Sequence, residues 1–133
     1  MNHTALDREP PLLLDNRNES ILRNVAKAAM DRAPEVATLL LAEVDRAEIV
    51  SEAELPDDVV TIGSFVTYQI QLTGAINTVR LVLPQQADLS KMRVSIVSGI
   101  GAALIGLRAG QQIDWVLGGR RHVLEVIRVS REP

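Results

Sequence analysis

The segment VSIVSGIGAALIGLRAG, residues 94–110, contains the clearest local pattern in this 133-residue chain. It starts with alternating polarity, as a strand does, and glycines then bracket a short apolar run. We predict a strand through Ile96, a short helix from Gly101 to Gly106 and a turn at Ala109-Gly110. Almost none of its side chains is reactive, so the segment itself offers no candidate catalytic residue.

Alternating segments on both sides of this stretch predict a sheet. SFVTYQIQL and NTVRLVLP are separated by Thr73-Gly74, and QIDWVL is separated from RRHVLEVIRV by Gly118-Gly119, a typical hairpin pair. The last segment is apolar on both faces, which favours an inner strand. The alternation predicts that one set of side chains faces the core: Val66, Tyr68, Ile70, Leu72, Val79, Leu81, Leu83, Ile113, Trp115 and Leu117. The pattern predicts a mostly antiparallel sheet packed around one short helix.

The N-terminal half has helical rather than alternating periodicity. Asp15 or Asn16 can cap a first helix that ends near Arg32, and Pro34 suits the first turn of a second helix that runs to about residue 50. The short connection makes the two helices antiparallel. We therefore divide the chain into a flexible arm (1–14), a helical hairpin (15–52) and a sheet domain (53–133), an α+β fold. The prolines at 10 and 11 exclude regular helix in the arm, where residues 12–14 could lie extended against an apolar surface.

Composition excludes several kinds of chemistry. The chain has no cysteine, which removes disulfides and thiolate sites and is compatible with a reducing cytoplasm. Its two histidines, His3 and His122, are far apart, and no phosphate-loop or dinucleotide motif is present. There is no apolar stretch of membrane-spanning length. We expect no catalytic residue, no metal site, no cofactor and no membrane partner.

Charge is distributed unevenly along the chain. Residues 1–58 hold six Lys and Arg against thirteen Asp and Glu, a net −7, whereas residues 59–133 hold eight against four, a net +4. The basic residues Arg120 and Arg121 flank the glycine turn, and Lys91 and Arg93 lie on another strand. Single-strand recognition also needs stacking aromatic side chains, of which the chain has only three, two of them in phase with the core. We therefore expect no sequence-specific contact with nucleic acid.

Three motifs together resemble a known family. The segment from Val94 to Val129, with its small-residue helix ending Leu-Ile-Gly and its Gly-Gly turn, resembles the C-terminal domain of the GreA/GreB transcription elongation factors. LLAEVDRA (residues 40–47) and LPDDVVTIGS (residues 55–64) are similar to segments of the related regulators of nucleoside diphosphate kinase (Rnk). The resemblance rests on the order and spacing of the three motifs taken together.

The resemblance implies an FKBP-like sheet domain, an N-terminal coiled coil and binding to RNA polymerase near its secondary channel. It implies docking by the loop Ser98, Gly99 and Ile100 together with Arg120 and Arg121. Acidic residues at the hairpin tip would point inward, and the candidates here are Asp31 and Glu35. The hairpin is much shorter than in Gre factors, so we expect no stimulation of transcript cleavage. Two positions depart from the family pattern, because Gly99 and Leu117 stand where the family usually has proline.

Two other functions remain open at the level of sequence. Leu39, Leu40 and Leu41 cannot all face one helical seam, so a surplus apolar surface could mediate a weak homodimer or serve a general interaction module, unless the sheet domain covers it. The third possibility is a cleavage-competent Gre-type factor, with Asp31 and Glu35 acting at the polymerase active site.

Overall fold

A helical hairpin and a five-stranded sheet make up the part of the chain that the computed structural model describes, residues 10–133. In chain order the elements are β1 (Leu13–Asp15), α1 (Asn16–Ala29), α2 (Pro34–Arg46), β2 (Glu48–Val50), β3 (Phe65–Ile70), β4 (Ile76–Val82), β5 (Arg93–Ser95), α3 (Gly99–Leu104), β6 (Gln112–Leu117) and β7 (Arg120–Ser130). The predicted α+β class is confirmed. No helix among these residues is long and apolar enough to cross a bilayer.

The helical hairpin forms as its caps and periodicity predict. The Asp15 carboxylate accepts a hydrogen bond of 2.6 Å from the Asn18 N–H at the start of α1, and Pro34 occupies the first turn of α2. The second helix ends at Arg46 rather than near residue 50, because Ala47 is extended and the chain continues as β2. The β-branched Ile49 and Val50 favour this strand.

The last part of the predicted arm, residues 12–14, is extended and packed against an apolar surface, the alternative given for it above, and is not a loose segment. Leu12 and Leu14 are buried, and β1 pairs in parallel with β2. The Leu13 N–H also donates to the Gly106 carbonyl at 3.1 Å. The two preceding prolines exclude a helix here, so the segment is extended. Burial of the apolar surface of its three consecutive leucines is enough to order it. Residues 1–9 lie outside the described residues.

The sheet has the strand order β5-β4-β3-β7-β6. Its pairs are antiparallel except for β4 with β5, which is parallel because residues 83–92 cross over through two short 3₁₀ turns. As predicted, β7 is an inner strand, and the two-residue turn joins it to β6. Gly118 and Gly119 have φ of 63° and 74°, the left-handed values that this hairpin turn requires.

The sheet prediction fails at Leu72, which we placed in the core and which is 89% exposed. The strand ends at Ile70, and the Gly74 N–H bonds the Ile70 carbonyl, so the alternation of SFVTYQIQL continues past the end of the ladder into a turn. A periodic pattern marks a strand but does not mark where pairing stops.

The hairpin and the sheet share one apolar core. Leu22 and Ala26 of α1 and Leu40 and Val44 of α2 belong to the same cluster as the sheet and α3. Leu39 and Leu41, whose surplus surface suggested self-association, are partly buried against this cluster. The leucine run is therefore packed, in full at Leu40 and in part at Leu39 and Leu41, against the core that the hairpin shares with the sheet.

Candidate docking surface

The loop that precedes α3 is held by a serine cap. The Ser98 hydroxyl donates to the Ser95 carbonyl at 2.7 Å and accepts from the Gly101 N–H at 3.0 Å. Because of this cap the helix starts at Gly99, two residues before the predicted start at Gly101. The helix ends at Leu104. Because both hydrogen-bonding functions of the hydroxyl are used, Ser98 shapes the loop, and Gly99 and Ile100 present the surface.

The two departures from the family pattern touch each other. A Cβ placed on Gly99 would lie 2.6 Å from the Cδ2 atom of Leu117. The Leu117 side chain thus occupies the space that a larger residue at position 99 would need. This contact joins the α3 loop to the end of β6, next to the glycine turn. The α3 loop is therefore packed against Leu117, which is the register partner of Arg120 across the turn.

The two arginines of the turn have different surroundings. The Arg121 guanidinium is bidentate on the Asp114 carboxylate, with Nη2 at 2.5 Å from Oδ2 and Nε at 2.9 Å from Oδ1. Asp114 raises the pKa of Arg121. Arg120 is exposed and forms no ion pair with another described residue. Arg120 is thus the member of the pair that is available to an acidic partner.

The acidic tip of the hairpin reaches this same turn. The Glu35 carboxylate, in the first turn of α2, accepts a 2.8 Å hydrogen bond from the Gly118 N–H. Asp31 is exposed in the connection between the helices. Of the two predicted tip acids, Glu35 is tied to the sheet and Asp31 stays at the surface. We call the loop 98–100, the turn 117–121 and Glu35 the docking surface.

Replacing Glu35 with Ala should release the Gly118 amide. That amide is exposed to water apart from its bond to the carboxylate, so its hydrogen exchange should speed up at least several-fold when the acceptor is removed. Amide exchange measured by NMR checks this. The Asp31→Ala variant, which removes an equal charge from the same tip, should leave the Gly118 rate near the wild-type value. An unchanged rate in both variants would contradict the contact.

Two contacts around this surface were not predicted from the sequence. Asp114 was not singled out, although the two-residue turn pairs Val116 with Arg121 and so places Asp114 diagonal to Arg121. That register was readable from the Gly-Gly signal. The contact of Glu35 with Gly118 carried no such signal, because 83 residues separate the two groups and only the packing of the hairpin on the sheet joins them.

The two remaining family motifs have structural roles. In LLAEVDRA, the buried Glu43 pairs with Arg46 at 2.8 Å, and Arg46 also donates to the Pro10 carbonyl at 2.7 Å. In LPDDVVTIGS, the Thr61 N–H donates to the buried Ser64 hydroxyl at 2.9 Å, and the Val60 N–H bonds the Leu107 carbonyl. These segments clamp the N-terminal strand and the α3 region to the core.

No group of three or more His, Asp and Glu side chains within residues 10–133 is arranged to hold a metal ion. Trp115 stacks on His122 with ring centroids 5.0 Å apart, and its indole Nε1 is buried without a partner in the described part of the chain. Both rings pack within the sheet, and the docking surface offers shape, the exposed Arg120 and backbone groups.

Comparison with known proteins agrees with this architecture. Residues 55–131 match the family model of the transcription elongation factor GreA/GreB C-terminal domain. A regulator of nucleoside diphosphate kinase from Escherichia coli K12 is 39% identical over 99 residues, which cover 74% of this chain and 73% of that protein. GreA from Thermotoga neapolitana is 28% identical over 123 residues, covering 92% and 76%.

A solved structure has the same fold. The prokaryotic transcription elongation factor GreA/GreB from Nitrosomonas europaea superimposes with a TM-score of 0.70 at 28% identity, over 90% of this chain and 98% of that one. The Escherichia coli relative is named a regulator, not an enzyme. The family model covers more than half of the sequence, and the chain is therefore a member of the GreA/GreB transcription elongation factor family, a transcription-related regulator.

Proposed function

We propose that this protein regulates transcription by binding RNA polymerase near its secondary channel through the docking surface, without stimulating transcript cleavage. The observation that carries the proposal is the hydrogen bond of Glu35 to Gly118. It brings the acidic tip, the arginine turn and the α3 loop onto one face. A partner that engages the loop thereby also meets Arg120 and the end of the hairpin.

The length and packing of the hairpin disfavour a role in transcript cleavage. Helices of 14 and 13 residues span only about 20 Å. Leu40 and Val44 are locked into the core shared with the sheet, and Glu35 is bound to the turn. To deliver Glu35 to a remote active site, the protein would have to break that contact and expose apolar surface. Asp31 alone is a weak substitute for a pair of metal-holding carboxylates.

Competition for purified RNA polymerase tests the proposal. The wild-type protein should retain polymerase in a pull-down at moderate salt, and a Gre factor should displace it. Arg120→Glu should weaken retention about tenfold or more, since it reverses the available charge on the surface. Arg128→Glu, an equal charge reversal at an exposed position of β7 outside the docking surface, should leave it near wild type.

A second variant tests the apolar part of the surface. Ile100→Asp places a charge into a half-buried contact and should abolish retention; circular dichroism verifies its fold, and Arg120→Glu carries the test if it unfolds. Polymerase binding that is indifferent to both substitutions, or that Gre does not compete for, would refute this surface. Magnesium-dependent cleavage of stalled transcripts should stay at the polymerase background, and stimulation would refute the regulatory mechanism.

A further inference from the structure

A cleft of about 390 Å³ opens at the β5 edge of the sheet, the edge opposite β6. Its walls are the ends of β4 and β5 and the 3₁₀ turn Pro84–Gln86 with the residues that follow it. Its charged members are Arg80, Arg93 and Asp88. The volume lies in the range of small-molecule sites. None of these residues belongs to the docking surface.

Two arginines stand side by side in this cleft. Arg80 and Arg93 are register partners on the parallel strands β4 and β5, so their side chains leave the same face of the sheet about 4.8 Å apart at the backbone. Like charges directly opposite each other in a sheet are unfavourable. Within the described residues neither guanidinium has a carboxylate partner closer than 4.0 Å.

The groups around Arg80 position its guanidinium without neutralising its charge. The Arg80 Nε–H donates to the Gly63 carbonyl at 3.3 Å, and its guanidinium lies 5.0 Å above the Phe65 ring. No acceptor for its terminal nitrogens occurs in the described part of the chain. The Arg80 guanidinium is thus held in place while its two terminal nitrogens are available to donate hydrogen bonds. Recognition of an oxyanion requires this arrangement.

Asp88 on the cleft wall is engaged elsewhere. Its Oδ1 atom accepts from the Ser90 hydroxyl at 2.6 Å and from the Ser90 N–H at 3.1 Å. These bonds, chiefly the one from the hydroxyl, lower the pKa of Asp88, and Arg93 adds a smaller electrostatic effect. The carboxylate therefore stays ionised and can accept a hydrogen bond from a ligand, while it repels an anion placed directly against it.

We propose that this cleft binds a small organic phosphate that also carries hydroxyl or amino hydrogen-bond donors. Two adjacent guanidinium groups balance the charge of a phosphate monoester better than that of a single carboxylate. Asp88 and the amides of Gln85 and Gln86 would receive the donor-bearing part. A nucleic-acid strand is disfavoured, because it needs a longer basic track and the acidic Asp88 interrupts this one.

Thermal denaturation with ribose 5-phosphate tests the site. The full chain should melt about 5 °C higher at a concentration tenfold above Kd, with inorganic phosphate giving a smaller rise and ribose none. Arg93→Gln should abolish the rise; it should also fold, because it relieves the like-charge pair. Arg128→Gln removes the same charge outside the cleft and should keep the full rise. Arg80→Gln serves as a second cleft variant.

The outcomes separate the possible ligands. A rise that Arg93→Gln and Arg80→Gln both retain would overturn the site, as would no rise in the wild type with any of the three probes. A single-stranded RNA oligonucleotide is the fourth probe. If it binds through Arg93 and ribose 5-phosphate does not, the small-molecule proposal is overturned in favour of a nucleic acid. Polymerase retention by the wild type is independent of all these results, so failure here leaves the proposed function intact.

Discussion

Gly101→Ala should destabilise the protein by about 2 to 4 kcal/mol, although alanine is the better helix former. Gly101 is buried in α3, and a Cβ at this position would lie 2.1 Å from the Ser95 carbonyl oxygen and 2.9 Å from its carbon. Both atoms belong to the backbone, so they cannot move aside as a side-chain end can. Helix propensity alone would make the alanine variant more stable by about 1 kcal/mol. The clash must therefore cost more than this gain for the variant to be destabilised. Urea denaturation followed by Trp115 fluorescence measures the difference.

Gly99→Ala is the matched control within the same helix. Here the nearest atom to the added Cβ is the Cδ2 of Leu117 at 2.6 Å, the far end of a flexible side chain. Rotation of Leu117 can relieve the contact, so the free energy of unfolding should change by less than about 1 kcal/mol. Equal losses at positions 99 and 101 would contradict the account of α3 as a helix seated against the backbone of Ser95.

Leu40→Ala should cost about 2 to 5 kcal/mol and should lower the stability of the whole molecule. Leu40 is fully buried and contacts the core that α2 shares with the sheet and α3. Two helices of this length are marginal in isolation, so their stability depends on that packing. We expect far-UV circular dichroism, which reports mainly the helices, and Trp115 fluorescence, which reports β6, to shift together in one transition.

The exposed Leu72 provides the control for Leu40. Its side chain is 89% exposed, so Leu72→Ala should change stability by no more than about 0.5 kcal/mol. If Leu40→Ala melted the helices while the Trp115 transition kept its wild-type midpoint, the hairpin would be a separate folding unit. That outcome would also remove the argument that the hairpin is held against the sheet.

Much of the architecture was predictable from local signals. Pro34 and Asp15 mark helix starts, and the glycine pair at 118 and 119 marks the β6–β7 turn, because these residues act on the backbone nearest to them. Element ends were less predictable. The helix α3 starts at Gly99 because the Ser98 side chain caps it. The strand β3 ends at Ile70, one residue after its pairing with β4 ends at Gln69 opposite Ile76, although its other partner β7 continues to Arg120.

The candidate docking surface was predictable in its parts but not in its assembly. The resemblance to the family pointed to the loop at Ser98 and the arginines at the glycine turn, and in the structure the loop meets the end of β6 next to that turn, through Gly99 and Leu117. The two turn arginines look equivalent in sequence. Only the β6–β7 register, which gives Arg121 to Asp114, distinguishes them.

The amino-acid sequence alone therefore established the helical hairpin and the mostly antiparallel sheet, since these rest on local periodicity, caps and turns. It pointed to the family through the resemblance of its motifs at residues 40–47, 55–64 and 94–129. Tertiary packing was needed to establish the burial of Leu12 and Leu14 and of the leucine run of α2. It also established the hydrogen bond between Glu35 and Gly118 and the strand register that places Arg80 beside Arg93. These features join residues distant along the chain, and they arise because the apolar faces of the hairpin and the sheet must be buried against each other.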